Sequence, residues 1–133
     1  MADAKVVGIG GVFLRCDDPK ALSAWYHKHL GIVATASGEP DPDGNWSWSQ
    51  EAGETAFAFF PRGNAYFPTD RQVMVNFRVV GLEALATKLK AAGVAVERRA
   101  EWDHPDVGLF ARIHDPEGNP IELWEPPAGG EGG

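Results

Sequence analysis

The stretch His114-Asp115-Pro116-Glu117-Gly118-Asn119-Pro120-Ile121-Glu122-Leu123-Trp124 constrains the fold more than any other part of the chain. It reads as strand, tight turn, strand. Pro116 presets φ for the turn, and Gly118 supplies the positive φ that lets the backbone reverse. Past the turn the side chains alternate: Ile121 and Leu123 point one way, Glu122 and Trp124 the other. A carboxylate in the middle of such a strand, opposite an apolar face, is either solvated or lines a cavity.

The same alternation recurs upstream, in an order that repeats. Residues 6–16 read as a strand, with Val12, Leu14 and Cys16 on one face and Gly11, Phe13 and Arg15 on the other. Asp18 and Pro19 then open a helix, one as its cap and the other at its first position. Leu22, Trp25, His29 and Leu30 follow at helical spacing, and Gly31 ends it. Strands are expected near 32–37, 46–50 and 55–61, with a polar, proline-broken loop over 39–44. The second half starts at Gln72 with a strand that sets Val75, Phe77 and Val79 against Met74, Asn76 and Arg78. Leu82, Leu85 and Leu89 mark a helix that Gly93 stops, and strands follow near 94–99, 108–114 and 120–125. Each half therefore reads β-α-β-β-β. The expectation is an α+β protein of two tandem modules, 6–62 and 72–126, within one domain spanning 1–126, and a disordered Gly/Pro-rich tail over 127–133.

Composition closes off several function classes. A net charge of −7 without a basic stripe leaves nothing to neutralise nucleic-acid phosphates. The single cysteine, Cys16, excludes an intramolecular disulfide, and its apolar face-mates make it read as a buried, inert thiol. The opening residues do not read as a signal peptide and no apolar run approaches ~20 residues, so no membrane partner and a cytoplasmic location are expected. Gly8-Ile9-Gly10-Gly11 lacks the strand-to-helix placement of a nucleotide-binding loop.

The terminal turn and strand, with the repeated order, resemble the vicinal oxygen chelate superfamily, which includes glyoxalase I, bleomycin-resistance proteins and extradiol dioxygenases. The resemblance covers roughly residues 8–126. It implies paired modules whose curled mixed sheets enclose a cavity, and a homodimer, since many members complete the pocket across two chains. Metal-using relatives place one ligand on each of the first, fourth, fifth and eighth strands, and the matching positions here are Gly11, Ala58, Met74 and Glu122. Only Glu122 offers a donor that a hard or borderline divalent ion accepts. The resemblance thus implies a member with no metal of the family type and no cofactor. A substitute set of His104, His114 and Glu122 is the alternative arrangement, while His27 and His29 sit on the first helix, away from the cavity.

Alternation assigns the cavity face. Met74 and Asn76, Phe110, Arg112 and His114, and Glu122 and Trp124 face away from the helices, whereas Arg15 and Arg78, the outermost, are expected to face water. Trp46 and Trp48 share one face of their strand, and Trp102 lies in a loop. Aromatic walls with a few polar groups suit a small, planar or aromatic ligand. The candidate ligand-binding residues are therefore Trp46, Trp48, Met74, Asn76, Trp102, Phe110, Arg112 and Trp124. The sign of the ligand's charge stays open: Glu122 beside an indole attracts a cation, as in bleomycin-resistance-type relatives, whereas Arg112 and Arg78 either grip an anion or pair with Glu122. The alternative to pure binding is a metal-dependent or Glu-based lyase, isomerase or dioxygenase. In its metal-free form Glu122 and His114 are the catalytic candidates, with Glu122 the general base for proton abstraction beside a carbonyl.

Overall fold

The computed structural model describes residues 4–127. Its order is α1 (Pro19–Leu30), β1 (Val75–Arg78), α2 (Leu82–Ala91), a short 3-10 turn (Ala100–Trp102), β2 (Leu109–His114) and β3 (Pro120–Glu125). The three strands form one sheet in the order β1-β3-β2, with β1 parallel and β2 antiparallel to the central β3. Within the described residues no helix is long and apolar enough to cross a membrane.

Both helices form where the sequence places them. Asp18 accepts a hydrogen bond from the amide of Ala21 at 3.1 Å, Pro19 opens α1, and Gly31 closes it at φ +67°. Gly81 starts α2 and Gly93, at φ +87°, follows its end. The C-terminal strand-turn-strand anchors the start of each helix. The Glu117 carboxylate accepts from the amides of Asp17 and Asp18 at 3.0–3.1 Å, and that of Glu125 accepts from Gly81 at 3.3 Å and Leu82 at 2.9 Å. A carboxylate at a helix N-terminus satisfies orphan amides and meets the positive end of the macrodipole, worth about 0.3–1 kcal/mol each.

The core lies between the helices and one sheet face. Ala111, Ile113, Ile121 and Leu123 from the strands meet Leu22 and Tyr26 of α1 and Leu82 and Leu89 of α2. Each buried leucine or isoleucine stabilises the fold by roughly 1.5–3 kcal/mol. Cys16, Trp25 and Phe77 pack against this cluster, half-buried. Gly108, at φ +128°, admits β2 to the sheet: a Cβ there would lie 2.2 Å from the carbonyl oxygen of Glu125.

Among the described residues the tandem modules and curled sheets are not seen. Segments 6–16, 32–37, 46–50 and 55–61 make no strand, and 94–99 contributes one bridge, Glu97 to Arg112. Alternation marks a segment as able to lie on a sheet, but a strand exists only where another strand accepts its ladder. Without one, Val6, Phe13, Phe57 and Phe59 stand exposed, Phe13 at 92%. Arg78, expected in water, is half-buried and donates to the carbonyl oxygens of Glu51 at 2.8 Å and Ala52 at 3.5 Å. Of the expected disordered tail, residues 128–133 lie outside the described residues.

Candidate functional site

Strand register alone draws a grid on the sheet face turned away from the helices. One row is Arg78, Trp124 and Phe110; the next is Asn76, Glu122 and Arg112; then come Pro120 and His114. Rows are two residues apart, about 7 Å along the strand. The middle row joins an amide, a carboxylate and a guanidinium from three strands.

Glu122 is buried and takes one hydrogen bond on each oxygen. The side-chain amide of Asn76 donates to Oε1 at 2.8 Å, and the Tyr66 hydroxyl donates to Oε2. The neighbouring Arg112 is buried too, and no ion pair joins it to Glu122 among the described residues. Its guanidinium lies 5.0 Å from the Tyr66 ring centre and 5.3 Å from that of Trp102, and Nη2 donates to the Tyr66 carbonyl at 3.1 Å. Arg112 Nε is buried with no hydrogen-bond partner among the described residues. The contacts continue as a ladder: Phe60 stacks on Tyr66 at 5.7 Å, and Arg99 lies 5.4 Å from the Trp102 ring. Rings and guanidinium groups placed next to each other gain about 0.5–2 kcal/mol per contact, more where desolvated.

Beside this ladder opens a hollow of about 380 Å³, lined by Tyr66, Phe67, Trp102, Arg99, Arg112 and His114 among others. Glu97, the acidic residue on its wall, accepts from Arg99 Nε at 2.6 Å. Phe110 and Trp124 stack at 6.3 Å with 9° between planes, and the Trp124 indole N–H is held by the Val107 carbonyl at 2.7 Å.

The geometry thus gathers Asn76, Glu122, Arg112, Trp102, Phe110 and Trp124 onto one face, with His114 exposed at the rim. It does not bring Trp46 or Trp48 there. Trp46 is 64% exposed, and Trp48 packs 5.9 Å from Phe77, which belongs to the helix-covered face. Met74 stands half-buried just before β1. Residues the sequence reading passed over do much of the building: Tyr66, Phe67 and Arg99. The signal for the first two was an aromatic pair inside the turn-rich connector Gly63-Asn64-Ala65-Tyr66-Phe67-Pro68.

The residues present do not fit a metal of the family type. Gly11, Ala58 and Met74 bring no suitable donor, and both oxygens of Glu122 already accept hydrogen bonds. The substitute set does not assemble either. Among the described residues, the side chains that converge as a ligand set are His27, Asp41 and Asp43, not His104, His114 and Glu122.

Tyr66 carries a titration signature of the site. Burial, then the hydrogen bond to Glu122 and its negative charge, push the phenol up to about 12, with Arg112 opposing. Tyr26 is pushed up as well, by burial and then by Asp115. A raised phenol contributes stability in full below the unfolded value of ~10 and loses it as pH rises through about 12. The expected result is that the folded chain, whose two tyrosines are Tyr26 and Tyr66, shows almost no tyrosinate absorbance at 295 nm up to pH ~10.5. In denaturant both ionise near pH ~10. Half-amplitude ionisation near pH ~10 in the folded protein would mean that the Tyr66–Glu122 bond is absent.

A family model described as a glyoxalase-like domain matches residues 11–124. Among solved structures the chain is similar to the crystal structure of TnmS3, an antibiotic binding protein from Streptomyces sp. CB03234, with 21% identity and a TM-score of 0.48 over 91% of this chain and 99% of that one. No curated protein matches the chain.

Proposed function

The chain belongs to the glyoxalase-like domain family, and from that premise we propose that it binds a small planar molecule bearing an acidic group in the hollow beside Arg112, with no metal at the family position. One observation carries the reading: the wall of the hollow sets the rings of Tyr66 and Trp102 against the guanidinium groups of Arg112 and Arg99. A volume of about 380 Å³ falls within the range of small-molecule sites, roughly 300–1,000 Å³. A planar ligand gains about 0.5–1.5 kcal/mol from each well-placed aromatic contact, and a carboxylate or phosphate draws charge-assisted hydrogen bonds from arginine. A cation finds less: Glu97 is engaged by Arg99, and Glu122 is engaged by Tyr66 and Asn76. In this reading Glu122 is a positioning residue that fixes Tyr66, and the aromatic pair of Phe110 and Trp124 extends the platform one row further. A second copy of the chain completes the wall through the exposed apolar segments of the first half.

The test is quenching of tryptophan fluorescence by a planar aromatic acid, naphthoate, and by an aromatic amine of matched size. Saturable quenching by the acid at micromolar concentrations is expected, with Trp102 as reporter. Arg99 is exposed, so Arg99→Gln leaves the fold intact; it weakens the acid about tenfold, equal to ~1.4 kcal/mol. Quenching by the amine alone would reverse the assigned charge, and no response to either would remove the pocket reading.

A further inference from the structure

The chain builds one turn twice, and the two copies differ in one atom's surroundings. The turns are Asp41-Pro42-Asp43-Gly44-Asn45 and Asp115-Pro116-Glu117-Gly118-Asn119. In each, the first aspartate's amide donates to the asparagine carbonyl, at 2.8 and 3.0 Å, and the glycine amide donates to the aspartate carbonyl at 2.9 Å. In each, the aspartate Oδ1 accepts from the amides two and four residues on, Asp43 and Asn45 in one and Glu117 and Asn119 in the other. The two glycines share positive φ, +88° and +84°.

The second oxygen separates them. Asp115 Oδ2 accepts from the Tyr26 hydroxyl at 2.6 Å and the Asn119 side-chain amide at 2.8 Å. Asp41 Oδ2 is buried, in a residue 4% exposed, and has no hydrogen-bond partner among the described residues. The turn itself does not demand this, since the matching atom in the other copy is doubly satisfied. A buried carboxylate oxygen without a donor is costly, and a cation bound there relieves it. The donors for a cation stand beside the Asp41 carboxylate. His27, one residue along α1 from Tyr26, places Nε2 2.9 Å from Asp43 Oδ2. One ligand atom each from His27, Asp41 and Asp43 lies within 4.8 Å of the others.

We propose that His27, Asp41 and Asp43 form a binding site for a divalent transition-metal ion of the Zn²⁺, Mn²⁺ or Co²⁺ class. The donor set decides the class. One imidazole with two carboxylates suits borderline ions, whereas Ca²⁺ and Mg²⁺ prefer oxygen throughout. Ligand distances of ~2.0–2.1 Å imply donor separations near ~3.3 Å in a tetrahedron, so His27 and Asp43, hydrogen-bonded at 2.9 Å, exchange that bond for the ion and part by a few tenths of an ångström. Water fills the open positions. Asp41 is the buried anchor, and His27 and Asp43 close the site from the surface. The ion pins loop 38–45 to the end of α1, just ahead of Trp46 and Trp48. The site is separate from the Arg112 hollow, so neither proposal depends on the other.

The experiment uses the tag-free full chain, stripped with chelator and titrated calorimetrically with Zn²⁺, Mn²⁺, Co²⁺ and Ca²⁺, with thermal melts in parallel. One equivalent of a transition ion binds at micromolar Kd, and at about a hundredfold excess over Kd the melting temperature rises about 5–10 °C. His27→Gln and Asp43→Asn, both at the surface, each weaken binding at least ~10-fold and leave the metal-free melt in place. Asp41→Asn abolishes binding, and it raises the metal-free melt because it removes a buried negative charge while keeping the Oδ1 acceptor of the turn. No binding up to ~1 mM overturns the site, as does binding that His27→Gln and Asp43→Asn leave unchanged. Binding of Ca²⁺ alone overturns the assigned class of ion.

Discussion

Asp115→Ala lowers unfolding free energy by about 3–4 kcal/mol in urea denaturation, with the m-value unchanged. The side chain is 4% exposed and accepts four hydrogen bonds: from the amides of Glu117 and Asn119, the Asn119 side chain, and the Tyr26 hydroxyl at 2.6 Å. Its removal strands the Tyr26 hydroxyl inside the core and frees the turn that carries Glu117 to the start of α1. Each buried donor left without a partner costs about 1–3 kcal/mol, with the shallower turn amides partly rescued by water. Tyr26→Phe serves as the internal comparison: it deletes only the hydroxyl and should cost about 1 kcal/mol. A loss under ~1 kcal/mol for Asp115→Ala would show that the turn holds the helix by backbone contacts alone, against the present account.

Sedimentation at micromolar concentration should give twice the chain mass of 14.4 kDa, and Phe13→Lys with Phe59→Lys should return a single chain. The first half leaves Val6, Val7, Ile9, Val12, Phe13, Phe57 and Phe59 exposed, and exposed apolar side chains in such number mark an interaction surface. These residues lie in segments that form no strand among the described residues. In the proposed dimer a second copy would supply both missing terms at once, strand partners for the backbone and cover for the side chains. Burying two such phenylalanines per chain contributes several kcal/mol, and a lysine in their place reverses the sign of that contribution. A single-chain mass at every concentration, unmoved by the lysines, would end the dimer reading and with it the idea that a second copy completes the hollow.

The two halves of the chain differ in how well sequence anticipates structure. In the second half, the helix over Leu82–Ala91 and the strands Leu109–His114 and Pro120–Glu125 sit where apolar periodicity, glycine stops and the proline-glycine turn put them. Local chemistry suffices there because β2 and β3 are joined by that turn, so the ladder partner is a near neighbour in sequence. In the first half the alternation is as clear, yet no strand forms among the described residues, because pairing is a property of two segments together and neither segment's own pattern secures it. The site divides the same way. Parity along β3 carries Glu122 to the face opposite Ile121 and Leu123, and parity along β2 does the same for Phe110 and Arg112. Parity puts Trp46 and Trp48 on one common side of their segment but does not fix the sheet they join; Trp48 lies against Phe77.

What the amino-acid sequence determined by itself is therefore whatever depends on φ preferences, capping and the two-residue and 3.6-residue periods: both helices, the Asp115–Asn119 turn, and the face on which Glu122 stands. Tertiary structure alone decided that Tyr66 reaches Glu122 from a connector 56 residues away, that Arg112 settles among aromatic rings and, among the described residues, forms no ion pair with the adjacent acid, and that one of two like turns keeps an oxygen unpaired among the described residues. The reason is that these contacts join segments distant in sequence. Their free energy comes from desolvation and packing in three dimensions, which no local rule about backbone preference contains.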